Sequence, residues 1–247
     1  MGIRDILSST SHRPWPLPDR RWVMTQTWHD LLFAHWPVDP AALRALVPRP
    51  FELDLFAGEA WLGIVPFYMS HVRPRAVPPL PWLSAFAELN VRTYVRVGGK
   101  AGVFFFSLDA ERLPAVGAAR AIGLPYYWAR MALTRRGSTI AYRSRRRGSG
   151  RARELRVEYA PVREAFQPAP ETLDYFLTER YCLYAHDPAG RPYRLEIHHP
   201  PWDLQPAVAE FSRNTMAPPL GDVTAAEPLL HYSRVQRMVA WTPEYLS

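Results

Sequence analysis

Apolar and polar residues alternate with a period of two along several stretches of the chain. Over residues 86–96, Ala87, Leu89, Val91 and Val95 alternate with Glu88, Asn90, Arg92, Tyr94 and Arg96, with Thr93 tolerable on the apolar side. Ile140, Tyr142 and Ser144 alternate with Ala141, Arg143 and Arg145. Gly148-Ser149-Gly150 then turns the chain, and Leu155, Val157 and Tyr159 alternate with Glu154, Arg156 and Glu158. This period marks strands with one face on a core. Further strands are expected over 22–36, over 51–56 and 60–69 around Ala57-Gly58-Glu59, and over 101–109 after Gly98-Gly99-Lys100. Others are expected over 126–133, over 181–186 and 193–198 around Asp187-Pro188-Ala189-Gly190, and over 208–213 and 229–241. Short helices are expected over 41–47, where Asp39-Pro40 supplies a cap and a first-turn proline, over 114–123 and over 170–179. The pattern predicts a mainly β (α+β) protein: successive antiparallel hairpins closed into a barrel-like sheet, with a few short helices.

Composition sharpens this. Of 247 residues, 48% are hydrophobic and 21% charged, the balance of a folded chain. Proline is high at 26 and glycine low at 13, so many loops are proline-punctuated. Residues 1–21 read as an N-terminal arm, too proline-dense at 14–18 for regular structure, and residues 22–247 as a single domain. The one cysteine, Cys182, excludes an internal disulfide and cysteine-cluster metal sites. The first 21 residues lack the apolar stretch of a signal peptide, and no apolar run of about 18 residues offers a membrane helix. A cytoplasmic protein with no membrane partner is expected.

The overall charge of +7 suggests nucleic acid, but its placement argues otherwise. Residues 130–163 hold eleven arginines against two acids, a local +9 that leaves −2 for the rest of the chain. On the expected hairpin these arginines face water, which reads as a solvated or edge-protecting face; an anionic partner or an oligomer contact are the alternatives. Nucleic acid is disfavoured because no aromatic residues interleave on the charged face.

No phosphate loop, nucleotide fingerprint, G-x-S-x-G elbow or H-E-x-x-H motif occurs. Glu196, His198 and His199 do not make a persuasive metal site, because adjacent histidines on a strand face opposite ways. Neither metal nor cofactor is expected. The chemistry-bearing stretch is instead 86–96, where the period places Glu88, Asn90, Arg92 and Tyr94 on one face. That face is either solvated or a barrel lumen. The following strand, with Val103-Phe104-Phe105-Phe106, is apolar on both faces and so central, which favours the lumen.

Several longer runs resemble the YqjF-like family of bacterial proteins, within the acetoacetate-decarboxylase-like superfamily. They include Ala60-Trp61-Leu62-Gly63-Ile64-Val65-Pro66-Phe67, Glu88-Leu89-Asn90-Val91-Arg92-Thr93-Tyr94-Val95 and Leu124-Pro125-Tyr126-Tyr127-Trp128-Ala129-Arg130-Met131. The runs Phe105-Phe106-Ser107-Leu108-Asp109-Ala110 and Asp39-Pro40-Ala41-Ala42-Leu43-Arg44, the latter after the stretch 28–36, point the same way. The resemblance covers about residues 20 to 240. It implies a cone-like antiparallel β-barrel with a central cavity, and supplies no activity. Acetoacetate decarboxylase itself works through a Schiff-base lysine. The similar place here, after Gly123-Leu124-Pro125, holds Tyr126-Tyr127, and the only lysine, Lys100, falls on a hairpin turn where it should be solvated. An early arginine of that enzyme is matched by His29, whereas its barrel glutamate matches Glu88.

The candidate site is thus Glu88 and Arg92 as catalytic pair, with Asn90, Tyr94, Tyr126 and Arg130 binding substrate. His35 and Arg73 are weaker candidates. The expected ligand is a small carboxylate or carbonyl compound, held bidentately by Arg92 while Glu88 moves a proton. A non-catalytic ligand-binding or structural module, a homo-oligomer joined through the arginine hairpin, is the alternative.

Overall fold

The computed structural model describes residues 2–80, 83–148 and 153–246; Ser149 and Gly150 of the expected turn lie outside them. In chain order the strands are β1 (Met24–Val38), β2 (Glu52–Leu53), β3 (Ala60–Pro74), β4 (Phe86–Val97), β5 (Lys100–Ala110), β6 (Tyr126–Arg136) and β7 (Thr139–Arg146). They continue as β8 (Glu154–Pro161), β9 (Cys182–His186), β10 (Pro192–His198), β11 (Gln205–Asn214), β12 (Leu229–Ala240) and β13 (Glu244–Tyr245). Four short helices join them: α1 (Ile3–Ser8), α2 (Pro40–Arg44), α3 (Leu113–Arg120) and α4 (Leu173–Thr178). No helix among the described residues is long and apolar enough to cross a membrane.

The thirteen strands form one sheet in the order β13-β10-β9-β5-β6-β7-β8-β11-β12-β1-β3-β4-β2, with extra pairings β4–β5 and β10–β12. Those extra pairings close the sheet along two circuits rather than as one simple barrel. A seven-strand circuit runs β4-β5-β9-β10-β12-β1-β3, and a larger one replaces β9 and β10 by β6, β7, β8 and β11. The pairings are antiparallel except β5 with β6 and β5 with β9, which run parallel. The shared wall of β1, β3 and β4 has both faces covered. Leu32, Ala34, Leu62, Ile64, Leu89 and Val91 pack against Ile140, Tyr142, Leu155 and Val157 of the larger circuit. Phe33, Val65, Phe67 and Phe86 turn the other way, into the smaller one. Two-sided burial explains why β4 carries both an apolar and a polar row, with Arg96 at its end the one exposed residue.

Local chemistry sets the ends of the elements. Asp39 accepts from the backbone N–H groups of Ala41 and Ala42 to cap α2, with Pro40 at its first position. After α3 the chain turns at Gly123, whose φ is +86° and where an added Cβ would lie 1.9 Å from the His186 carbonyl; only glycine fits that approach. The expected hairpin of 51–56 with 60–69 does not form. β2 pairs with β4 instead, and Phe56 meets Glu59 in a single bridge.

In the N-terminal arm, residues 14–18 form no helix or strand, in keeping with their prolines. The arm contains α1 and docks on β10. Arg13 donates to Glu196 Oε2 at 2.5 Å and to the Ile197 carbonyl at 2.6 Å, and Trp15 Nε1 donates to the same Glu196 oxygen at 3.0 Å.

The alternation of β7 and β8 holds: Ile140, Tyr142, Ser144, Leu155, Val157 and Tyr159 are buried, and Arg143, Arg145 and Arg156 are exposed. Arg146 departs from the solvated reading. It donates to fully buried Asp109 at 2.7 Å and 3.0 Å and lies 3.7 Å above the Tyr127 ring. Removing one partner of a buried ion pair leaves the other uncompensated. Arg146→Gln is therefore expected to cost about 3 kcal/mol in urea unfolding, and Arg145→Gln less than about 0.5 kcal/mol. Equal effects would contradict this division of the arginines.

Candidate functional site

Strand β4 places Glu88, Asn90 and Arg92 on the wall of a cavity of about 330 Å³ inside the smaller circuit. The rest of the wall is mostly apolar, including Trp28, Phe33, Phe67, Phe86, Phe105, Leu195 and Met238. Successive residues of a strand face opposite ways, so Leu89 and Val91 enter the core while the three polar residues enter the cavity.

Glu88 is 3% exposed and accepts from the Tyr126 hydroxyl at 2.8 Å. Tyr126 reaches it from the parallel start of β6, where it pairs with Leu108. Burial pushes the Glu88 carboxyl up to about 8; the Tyr126 hydroxyl pulls it down and nearby Asp109 adds to the rise. The same burial holds the Tyr126 hydroxyl well above its ordinary range. At neutral pH Glu88 is thus mainly the neutral acid, a proton donor.

Arg92 is half-buried and has no carboxylate partner among the described residues. Its Nη2 donates to the Leu177 carbonyl at 3.1 Å and to the Tyr94 hydroxyl at 3.3 Å, and its Nε finds no partner. The guanidinium lies 5.2 Å from the Phe33 ring centre. Asn90 Oδ1 is buried and likewise unpartnered.

Tyr94 is fully buried behind the wall rather than in the cavity. Its hydroxyl donates to the Leu177 carbonyl at 2.8 Å and lies 2.6 Å from His35 Nε2, so it braces Arg92. His35 is fully buried, and its pKa is lowered well below the ordinary value by burial. Arg73 donates to the Val77 carbonyl in an exposed loop. His29 contacts Ser70 at 2.7 Å and does not line the cavity.

Arg130 must be corrected. It is exposed on the outer sheet face, opposite Arg145. Tyr126 and Arg130 do share strand parity, but β6 leaves β5 after Trp128 and joins β7 in the other circuit. The face that looks into the cavity at Tyr126 therefore looks into solvent four residues later. Lys100 is not simply solvated either: its Nζ donates to Glu196 at 3.2 Å and lies 5.5 Å from the Trp15 ring centre, off the cavity wall. Glu196 is occupied by Arg13, Lys100 and Arg194.

Arg180 was not foreseen. It follows α4, carries no strand period and lines the cavity. Its Nη1 donates to Asp54 at 2.6 Å, its Nε to the Phe176 carbonyl at 2.6 Å, and its Nη2 is buried without a partner. Arg180 and Arg92 both lie over the Tyr94 ring, at 4.9 Å and 5.6 Å from its centre. The only sequence sign was a charged pair, Glu179-Arg180, directly after a helix.

The closed β-sheet has the acetoacetate decarboxylase-like fold. An acetoacetate decarboxylase-like enzyme from Sphingomonas wittichii RW1 matches with a TM-score of 0.64 at 14% identity, over 96% of this chain and 98% of that one. The enduracididine biosynthesis enzyme MppR, solved with pyruvate, matches with a TM-score of 0.61 at 13% identity, over 93% and 92%. At such identities the likeness is one of fold. In sequence, residues 25–237 match the DUF2071 family, described as an uncharacterized conserved protein. The chain is also 45% identical over 227 residues to uncharacterized protein YqjF of Bacillus subtilis (strain 168), covering 91% of this chain and 93% of that protein. The chain belongs to the DUF2071 family.

The Glu88 environment predicts a pH dependence. Its carboxyl holds a proton more tightly folded than unfolded, so its contribution to stability is present below 4.5 and is lost as pH rises through about 8. One such proton gives a slope of about 1.4 kcal/mol per pH unit inside that window. Glu88→Gln, neutral throughout, should lack this slope in urea unfolding between about pH 5 and pH 7.5. A variant with an unchanged slope would mean that Glu88 titrates normally.

Proposed function

We propose that the protein binds a small carboxylate or carbonyl compound in this cavity, with Arg92 as the anion anchor and Glu88 as the group that moves a proton. The observation that carries the reading is a guanidinium with no counter-ion among the described residues, on the wall of a mostly apolar cavity. An unpaired charge in such surroundings is costly. Asp54 matches Arg180, and Glu88, the acid on the same strand face, is mainly neutral at pH 7 because burial raises it to about 8. A monoanionic ligand supplies the missing charge, through the unpartnered Arg92 Nε.

Asn90 Oδ1 offers an acceptor between the two ends of the polar row, and Tyr126 orients the Glu88 carboxyl. A neutral carboxylic acid near the carbonyl of a bound ligand can protonate its oxygen, or an enolate formed from it. MppR, solved with pyruvate, supports an oxo acid as the ligand class. The chemistry we favour is lyase-type acid–base catalysis without a Schiff base, because the chain's single lysine is held by Glu196, off the cavity wall. A soluble cytoplasmic protein, with the buried thiol of Cys182 kept reduced, fits this role.

Calorimetric titration with pyruvate, acetoacetate and longer 2-oxo acids tests the reading. Arg92→Met should weaken binding by about ten- to a hundredfold, the loss of a charge-assisted contact. Glu88→Gln should bind within a few-fold of the natural protein and lose any turnover, since an amide cannot exchange the proton. Undiminished binding by Arg92→Met would overturn the anchor, and turnover surviving in Glu88→Gln would reduce the site to a binding module. Borohydride reduction with acetoacetate should trap no adduct at Lys100. A stoichiometric adduct there would restore the Schiff-base route.

A further inference from the structure

The outer face of β6, β7, β8 and β11 carries a charge pattern that the cavity does not use. The cross-strand register sets it out in rows. One row pairs Arg143 with Arg156 and Arg156 with Arg213. The next row, two residues along the strands, pairs Glu158 with Glu210. All five side chains are exposed. Beyond the acidic row the face turns apolar at Val208, 55% exposed, and Val162, 50% exposed.

Like charges directly opposite one another on a sheet are unfavourable. Glu154 relieves part of the basic row, bridging Arg156 at 2.7 Å and Arg213 at 3.4 Å. Glu158 and Glu210 have no ion pair among the described residues. Within one copy the two rows lie about 6.6 Å apart along the strands, so their mutual attraction is weaker than direct pairing while each row still repels within itself.

We infer that this face is where two copies of the chain meet. A two-fold axis running across the strands between the rows maps one row onto the other. It sets Arg156 against Glu158 of the partner subunit and Arg213 against Glu210 of the partner subunit, and each contact occurs twice, as an isologous interface requires. Arg156, Arg213, Glu158 and Glu210 then each face an opposite charge across the interface, and Arg143 faces Ala141 of the partner subunit, away from its like-charged neighbours. A polyanion fits less well, since the acidic row would repel its phosphates. The face is small. Four strands about 4.8 Å apart and some seven residues long at about 3.3 Å give roughly 440 Å² per copy. That is at the low end for specific association and points to a weak, electrostatically held dimer.

Sedimentation velocity of the full chain over a concentration series tests this. Dimerisation is expected at low ionic strength and should weaken at least tenfold in about 0.5 M salt, where charges are screened within a few ångströms. E158R/E210R and R156E/R213E should each sediment as monomers, and an equimolar mixture of the two should recover the dimer, since every reversed pair is complementary again. Should R156E/R213E melt early in circular dichroism, R156Q/R213Q should still weaken self-association at least tenfold. A natural protein that stays monomeric at high concentration and low salt would overturn the inference, as would dimers that survive both reversals. Tight binding of random-sequence duplex DNA by a chain that does not self-associate would give the face to nucleic acid instead.

Discussion

Everything at the candidate site follows from the two-sided burial of β4. The strand pairs with β3 and β5 along its length, and both of its faces are covered by other parts of the same sheet. Because side chains alternate, no register of this strand leaves one row in water. Leu89 and Val91 go to the core between the circuits, so Glu88, Asn90 and Arg92 must go into the smaller circuit. A strand that needed only stability would have carried apolar residues on both faces. Three polar residues held in an enclosed space weaken the fold, and such an arrangement is characteristic of functional sites.

Enclosure acts oppositely on the members of the row. A carboxyl can escape the cost of burial by keeping its proton, and Glu88 does so, held by Tyr126. A guanidinium cannot give up its proton. Arg92 instead leans on two oxygens, the Leu177 carbonyl and the Tyr94 hydroxyl, and on the face of Phe33. Arg180 shows the other solution, a buried ion pair with Asp54. The difference between a paired and an unpaired arginine on one cavity wall is what gives the site its sign.

The polar row was legible because it rests on the strictest signal a sequence carries, the period of two, together with an apolar neighbour strand. Glu88, Asn90 and Arg92 of that row line the cavity and Tyr126 joins them from β6, whereas Tyr94 of the same row packs behind the wall. Arg130 was misplaced because parity was extended along β6 past the point where the strand changes partners, an event set by tertiary closure. The pair of Arg146 with Asp109 has no local signal, and Arg180 only the charged pair Glu179-Arg180 after a helix: each depends on contacts between residues far apart in the chain. The docking of the arm is hidden for a similar reason. Prolines forbid regular structure locally but do not forbid docking, and Arg13 and Trp15 meet Glu196 more than 180 residues away.

The central claim is that Glu88 is a neutral acid on the same cavity wall as a cation with no counter-ion among the described residues. Infrared difference spectroscopy on protein carrying ¹³C-labelled glutamate carboxyls, with Glu88→Gln as reference, reads that protonation state directly. The account predicts a protonated carboxyl band assigned to Glu88 at pH 7, giving way to carboxylate near pH 8. A band already that of carboxylate at about pH 6 would mean that Glu88 is ionised in the cavity, and its charge would then repel an anionic ligand.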